Sequence, residues 1–237
     1  MADRIPFLTA RWLNLALLTY RLEPKMLLPF VPPHCELDLI DGHGFASLVA
    51  FDFTQTRVLG IPWPGFINFP EVNLRFYIRH GNNRGVCFIS EIVRHRTVAR
   101  IARWIYNEPY MATLMESRFE KNDQTIGVHH DVVIAGKSNT IDITATASTI
   151  CPAADSMECF LKEHEWGFGT SRSGRLIRYK VLHPIWNIHP VLSWKLNWDW
   201  QAVYGQAWAP LQTMQPMSVI LAEGSAVKVF PYGTLNP

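Results

Sequence analysis

Between residues 71 and 79 the chain reads Glu-Val-Asn-Leu-Arg-Phe-Tyr-Ile-Arg. Its odd-numbered positions carry an acid, an amide, a guanidinium, a phenol and a second guanidinium. Successive side chains of a β-strand point to opposite faces. Glu71, Asn73, Arg75, Tyr77 and Arg79 would therefore share one face, and Val72, Leu74, Phe76 and Ile78 the other. Arg75 could grip a carboxylate or phosphate with its fork of N–H donors, leaving Glu71 to handle a proton. Facing water, the same row is an ordinary solvated strand face that cross-pairs with its neighbours. Lining a closed or half-closed sheet, it is a ready site for a small polar ligand. The segment by itself is compatible with both.

Other candidate groups are less specific. Glu91 interrupts the apolar run Val86–Val93, and a structural ion pair with Arg75 or Arg79 across a hairpin would satisfy it. Glu163-His164-Glu165-Trp166-Gly167 and His183-Pro184-Ile185-Trp186 bring acids and imidazoles that could form an acid–base pair or a metal site. No His-Glu-x-x-His or comparable ligand spacing is present. His129-His130-Asp131 is equally unspecific, so hydrogen-bonded structural roles are expected for these groups, with no metal and no other cofactor. Arg96, Arg100 and Arg103 fall on one side of a segment of helical period and read first as a solvated face. There is no Gly-x-Ser-x-Gly elbow, P-loop or dinucleotide fingerprint.

The elements that must position these groups are mostly strands. With 237 residues, 48% apolar and 18% charged, the chain has ample core material, and one domain spanning 1–237 is expected. A net charge of +2 argues against nucleic acid or anionic membrane as the main partner. The four cysteines form no Cys-x-x-Cys pair, and no apolar run reaches the length of a membrane span or signal peptide. A soluble cytoplasmic protein is the expectation. Strands are predicted at 12–22, 36–40, 45–53, 71–79, 86–93, 115–120, 128–134, 140–147, 176–181, 191–198 and 218–230, with helices over 97–106 and 152–161. Trp194, Trp198 and Trp200 share strand parity, as core or as an interface, and homo-oligomerisation is left open.

In order along the chain, several blocks resemble one family. They are 24–32 with 36–42, Arg57 to Pro62, Glu71 to Tyr77, Tyr106-Asn107-Glu108-Pro109-Tyr110, Glu163-His164 with Trp166-Gly167, His183-Pro184 with Trp186, and Ala222 to Ser225. Together they are similar to the YqjF-like family of uncharacterised bacterial proteins, and more distantly to the acetoacetate decarboxylase superfamily. The resemblance implies a mainly β (α+β) fold: a cone-shaped antiparallel β-barrel with a few short helices and an interior ligand cavity. It also implies an upstream catalytic-site glutamate at Glu71. The Gly-Arg…Pro-Lys-Lys segment that bears the decarboxylase Schiff-base lysine corresponds to Ala102-Arg103 and Pro109-Tyr110-Met111, so both lysines are replaced. A Schiff base needs an uncharged primary amine, which Tyr110 and Met111 lack. Lys180 or Lys195 would have to reach in from another strand.

These readings combine into one expectation. A cavity binds a small polar or anionic organic molecule bearing a carboxylate, with Glu71 and Tyr110 as catalytic groups. Asn73, Arg75, Arg103, Tyr106, Glu108, Glu163, His164 and His183 would contact the ligand. Any activity would be that of a lyase or isomerase working by proton transfer without an imine; the alternative is a ligand-sensing or structural module without turnover.

Overall fold

Alternation along the strands decides where the two cores lie. The computed structural model describes residues 5–100 and 109–234, the last four as backbone. Its strands are β1 (Leu8–Leu22), β2 (Glu36–Leu37), β3 (Gly44–Val58), β4 (Phe69–His80), β5 (Asn83–Val93), β6 (Tyr110–Ala112), β7 (Met115–Lys121), β8 (Thr125–Ile134), β9 (Lys137–Thr146), β10 (Trp166–Thr170), β11 (Leu176–Leu182), β12 (Ile188–His189), β13 (Val191–Asn197) and β14 (Ser218–Thr234). Short helices at Pro24–Leu27, Met157–Lys162 and Trp200–Tyr204 fill the connections, and residues 96–100 are helical.

Ten strands form one sheet in the order β2-β4-β3-β1-β14-β11-β10-β5-β6, with β12 on β14; β13-β9-β8-β7 form a second, antiparallel sheet. The large sheet is not the closed antiparallel barrel that the resemblance implies. It bends far enough for β5 to run antiparallel beside β4. Its contact with β10, however, is parallel and only two residue pairs long, Trp166↔Gly85 and Gly167↔Val86. β6 also joins β5 in parallel, so the sheet is mixed, and its ends are β2 and β6. The short β5–β10 seam depends on bare backbone. A Cβ on Gly85 would lie 2.4 Å from the Trp166 carbonyl, and one on Gly167 would lie 2.1 Å from the Tyr179 ring. β10 pairs along its whole length with β11 instead. Asp41-Gly42-His43-Gly44 makes a turn with a bridge between Ile40 and His43, and Glu36–Leu37 pairs with β4 rather than β3.

Both faces of the large sheet are covered. On one, Leu18 and Tyr20 of β1, Leu48 of β3, and Val72, Leu74, Phe76 and Ile78 of β4 pack against Val128, Val132, Ile141 and Ile143 of the second sheet. On the other, Leu15 and Leu17, Val49, Phe51 and Phe53, and Tyr77 build a second core with Leu161, Trp186 and Val181. That second face carries the polar row of β4. The rows explain why β3 is apolar on both sides: it is central and buried twice.

Candidate functional site

On the second face lies a partly enclosed cavity of about 100 Å³. It is lined by Glu71, Asn73, Arg75, Glu91, Tyr110, Lys162, His164 and His183, with aromatic walls that include Trp12, Phe51, Phe88, Trp166 and Trp186. The register of the strands lays out the polar part. Asn73 of β4 stands opposite Glu91 of β5, and Glu91 beside Tyr110 of β6. These three residues form one row across three adjacent strands, spaced about 4.8 Å apart. Glu71 lies two residues along β4, and Asn73 Nδ2 donates to Glu71 Oε1 at 3.0 Å. Glu71, Asn73 and Glu91 are each only 3% exposed, so this acid–amide–acid group is walled off from bulk water. A bulge at Ile89 of β5 then shifts the register between Leu74 and Arg75.

Arg75 works in two directions. Its Nη2 donates to the Leu161 carbonyl at 2.9 Å, at the C-terminal end of the Met157–Lys162 helix, where a cation is favoured. Its buried Nε has no hydrogen-bond partner, and neither does Asn73 Oδ1. The same Leu161 carbonyl accepts from Tyr77 Oη at 3.0 Å. Because that phenol proton is committed, Ser47 Oγ must donate to Tyr77 at 2.5 Å and Thr19 Oγ1 to Ser47 at 2.7 Å. Ser156 caps the helix at its other end, its Oγ accepting from Cys159 N at 3.2 Å.

That helix delivers what the sequence reading did not foresee. Lys162 is fully buried and lines the cavity. The expectation of a hollow without an amine is therefore corrected. Neither named lysine supplies it: Lys180 pairs with Glu165 at 2.9 Å and is partly exposed, and Lys195 is exposed on β13. Lys162 Nζ donates instead to Glu163 Oε1. Glu163 stands just behind the lining. The same Oε1 accepts from the Trp186 backbone N–H at 3.1 Å, and Oε2 faces His183 Nδ1 at 3.7 Å.

Both cavity histidines are shifted below the ordinary imidazole value. His164 is pushed down to about 3, chiefly by burial and then by the Arg75 guanidinium, against the Phe160 carbonyl. Its ring packs on Tyr77, with centroids 5.1 Å apart. His183 is lowered by burial, opposed by the Pro184 carbonyl and Glu163. Its Nδ1 donates to the Pro184 carbonyl at 2.9 Å, and the ring stacks on Trp186 at 3.9 Å.

Of the sequence-predicted site residues, Glu71, Asn73, Arg75, Tyr110, His164 and His183 line one cavity, and Glu163 supports its amine. Arg103, Tyr106 and Glu108 lie outside the described residues. Two lining groups were missed as site residues. Glu91 could have been found from its position opposite Asn73 in the hairpin. Lys162 could not, since only long-range packing brings its helix over β4. Among the described residues, no three His, Cys, Asp or Glu side chains gather as a metal site.

Comparison with known proteins agrees with this fold. Residues 9–226 match the model of the DUF2071 family, described as "uncharacterized conserved protein". The uncharacterized protein YqjF of Bacillus subtilis (strain 168) is 31% identical over 125 residues, 52% of this chain and 51% of that protein, so the match spans about half of the relative's length. Among solved structures, an acetoacetate decarboxylase-like enzyme from Sphingomonas wittichii RW1 superposes with a TM-score of 0.68 at 12% identity, covering 98% of this chain and 94% of its own. The enduracididine biosynthesis enzyme MppR complexed with pyruvate gives 0.67 at 13% identity, covering 100% and 92%. Acetoacetate decarboxylase from Legionella pneumophila gives 0.62 at 14% identity, covering 99% and 88%. The chain belongs to the DUF2071 family, and its fold is like that of the acetoacetate decarboxylase-like enzymes.

Proposed function

We propose that the cavity binds a small organic carboxylate carrying a carbonyl group and moves a proton on it, without forming an imine. The observation that supports this reading is the pairing, in one hollow of about 100 Å³, of an Arg75 Nε without a hydrogen-bond partner with a buried acid–amide–acid row. Arg75 and Lys162 are the two cations for the carboxylate. Glu71, oriented by Asn73, takes a proton from the carbon next to the carbonyl. The C–H electron pair then moves into an enolate, and the Tyr110 hydroxyl donates to its developing oxygen. Returning the proton at another atom isomerises the substrate, and expelling a leaving group makes the reaction a lyase. Lys162 is a cation and not a nucleophile in this scheme, because its amine is ion-paired with Glu163, and an ammonium has no lone pair to attack with.

Three-carbon keto acids, pyruvate first because it is the ligand named for MppR, are the starting probes. Thermal-shift binding would be measured for the native chain, Arg75→Met and Glu71→Gln, followed by exchange in D₂O of the protons on the carbon next to the carbonyl, the methyl group of pyruvate. Binding lost in Arg75→Met, with exchange lost but binding kept in Glu71→Gln, is the expected pattern. Binding without any exchange in the native chain would make the protein a sensing module. A borohydride-trapped adduct on Lys162 would refute the noncovalent scheme.

A further inference from the structure

A second concavity of about 940 Å³ is lined by residues of β1 and β14 and has only His183 in common with the lining of the inner cavity. The strand register shows how it is made. Thr9 of β1 stands between Arg57 of β3 and Lys228 of β14, directly opposite both. The three residues therefore form a row across adjacent strands, with the backbones of Arg57 and Lys228 about 10 Å apart. Arg11 lies two residues further along β1 and also lines the groove. Arg11, Arg57 and Lys228 are all exposed, and none has a carboxylate within ion-pair distance among the described residues. Aspartate and glutamate are absent from the described lining, so the three cations stand there uncompensated.

A second feature of the same wall has its own origin. Between Thr9 and Arg11 the β1–β3 register slips by a residue, and Gln55, at the slip, adopts φ +54°. A non-glycine residue in the left-handed region is uncommon and strained, and such strain collects at ligand sites. Gln55 lines the groove, its backbone N–H donating to Asn68 Oδ1 at 3.0 Å. The bulge thus adds an amide to the basic row. Ile67, Leu182 and Pro184 give the same groove an apolar wall.

We infer that this groove is a binding site for a phosphate-bearing small molecule, with the phosphate or pyrophosphate across Arg11, Arg57 and Lys228 and the organic portion against the apolar wall. A second copy of the chain is a poor occupant, because an isologous contact would set two basic rows against each other. The inference does not depend on the chemistry proposed for the inner cavity, with which the groove shares only His183.

Inorganic pyrophosphate is the probe, titrated calorimetrically into the full chain at low ionic strength. Single-site binding is expected, weakened at least tenfold in Arg57→Ala/Lys228→Ala and further when Arg11→Ala is added. Because these side chains are exposed, the variants should keep the native melting temperature, measured alongside. Arg75→Ala should bind pyrophosphate as the native chain does. No binding by the native chain, undiminished binding in the triple variant, or equal displacement by sulfate at matched ionic strength would each overturn the inference. So would loss of binding in Arg75→Ala, since the anion would then be in the inner cavity.

Discussion

His130 sits on β8, fully buried, beside Ser117 of β7 and Ile141 of β9 in the sheet ladder. Neither of its ring nitrogens has a hydrogen-bond partner. Burial pushes its pKa down to about 4 from 6.5; the Asp52 carboxylate opposes that shift and His129 adds to it. In the unfolded chain the ring gains its proton near the ordinary value, so between pH 6.5 and about 4 the unfolded state binds more protons. Stability must therefore fall as the pH is lowered through that window and be fully present above it. At about 1.4 kcal/mol per pH unit, the full descent is worth ~3 kcal/mol, most of it lost by pH 4.5. Replacing the ring with a non-titrating apolar side chain, His130→Leu, removes that share of the slope. Urea unfolding of both proteins at pH 7.5, 6.0 and 4.5 reads the effect. The variant should be of similar stability at pH 7.5 and more stable than the native chain by ~2–3 kcal/mol at pH 4.5. Carboxylates and His164 contribute slopes of their own, but these are common to both proteins and cancel in the difference. Parallel stability curves over this range would refute the claim that His130 is held neutral by burial.

The remaining predictions concern the cavity. Lys162→Met leaves Glu163 without its amine; with Glu163 partly exposed and still bonded to the Trp186 N–H, a loss of ~2–3 kcal/mol is expected. Lys162→Met/Glu163→Gln should recover at least half of that loss in the same urea titration, and failure to recover any would mean that packing rather than charge is at stake. Tyr77→Phe removes one of two donors to the Leu161 carbonyl and strands Ser47 Oγ, so ~1–2 kcal/mol should be lost, with a matching drop in melting temperature. Gly167→Ala puts a methyl group on the Tyr179 ring at the cavity wall. Its unfolding midpoint should fall by the equivalent of ~1–3 kcal/mol, and its keto-acid binding should fall with it.

Much of the site was legible because a strand has a period of two. Parity alone separated Val72, Leu74, Phe76 and Ile78, all now in the core against the second sheet, from Glu71 and Asn73, which are buried on the opposite face. The hairpin through Gly81 was equally local and placed β5 beside β4. Parity could not say what lies over the second face, because Met157–Lys162 reaches it from 84 to 86 residues away in sequence. Lys162 was hidden for that reason: a lysine closing a short helix reads as a solvated end. The mixed, unclosed form of the sheet was hidden too, since the β5–β10 contact is set by two glycines and a two-residue parallel pairing. Trp198 and Trp200 are buried while Trp194 is partly exposed, so shared parity did not give the three indoles one environment.

The polar row of β4 divides by what covers it, and that division is the main structural argument for a site. A solvated strand face would treat its five side chains alike, and only Arg79 behaves that way, pairing with Glu36 at 3.2 Å at the exposed end. Tyr77 is spent on structure, its proton fixed on the Leu161 carbonyl by the Thr19–Ser47 relay behind it. Arg75 shares that carbonyl, yet keeps a buried Nε unsatisfied at the cavity wall. Glu71 and Asn73 bond to each other, and Asn73 still has an unpartnered acceptor. Buried polar atoms left without partners are costly, and on β4 the two that occur, on Arg75 and Asn73, belong to residues that line the hollow. A guest with both a donor and an anionic acceptor would satisfy Asn73 Oδ1 and Arg75 Nε together. A purely structural ladder offers no reason for both orphans to border the same cavity.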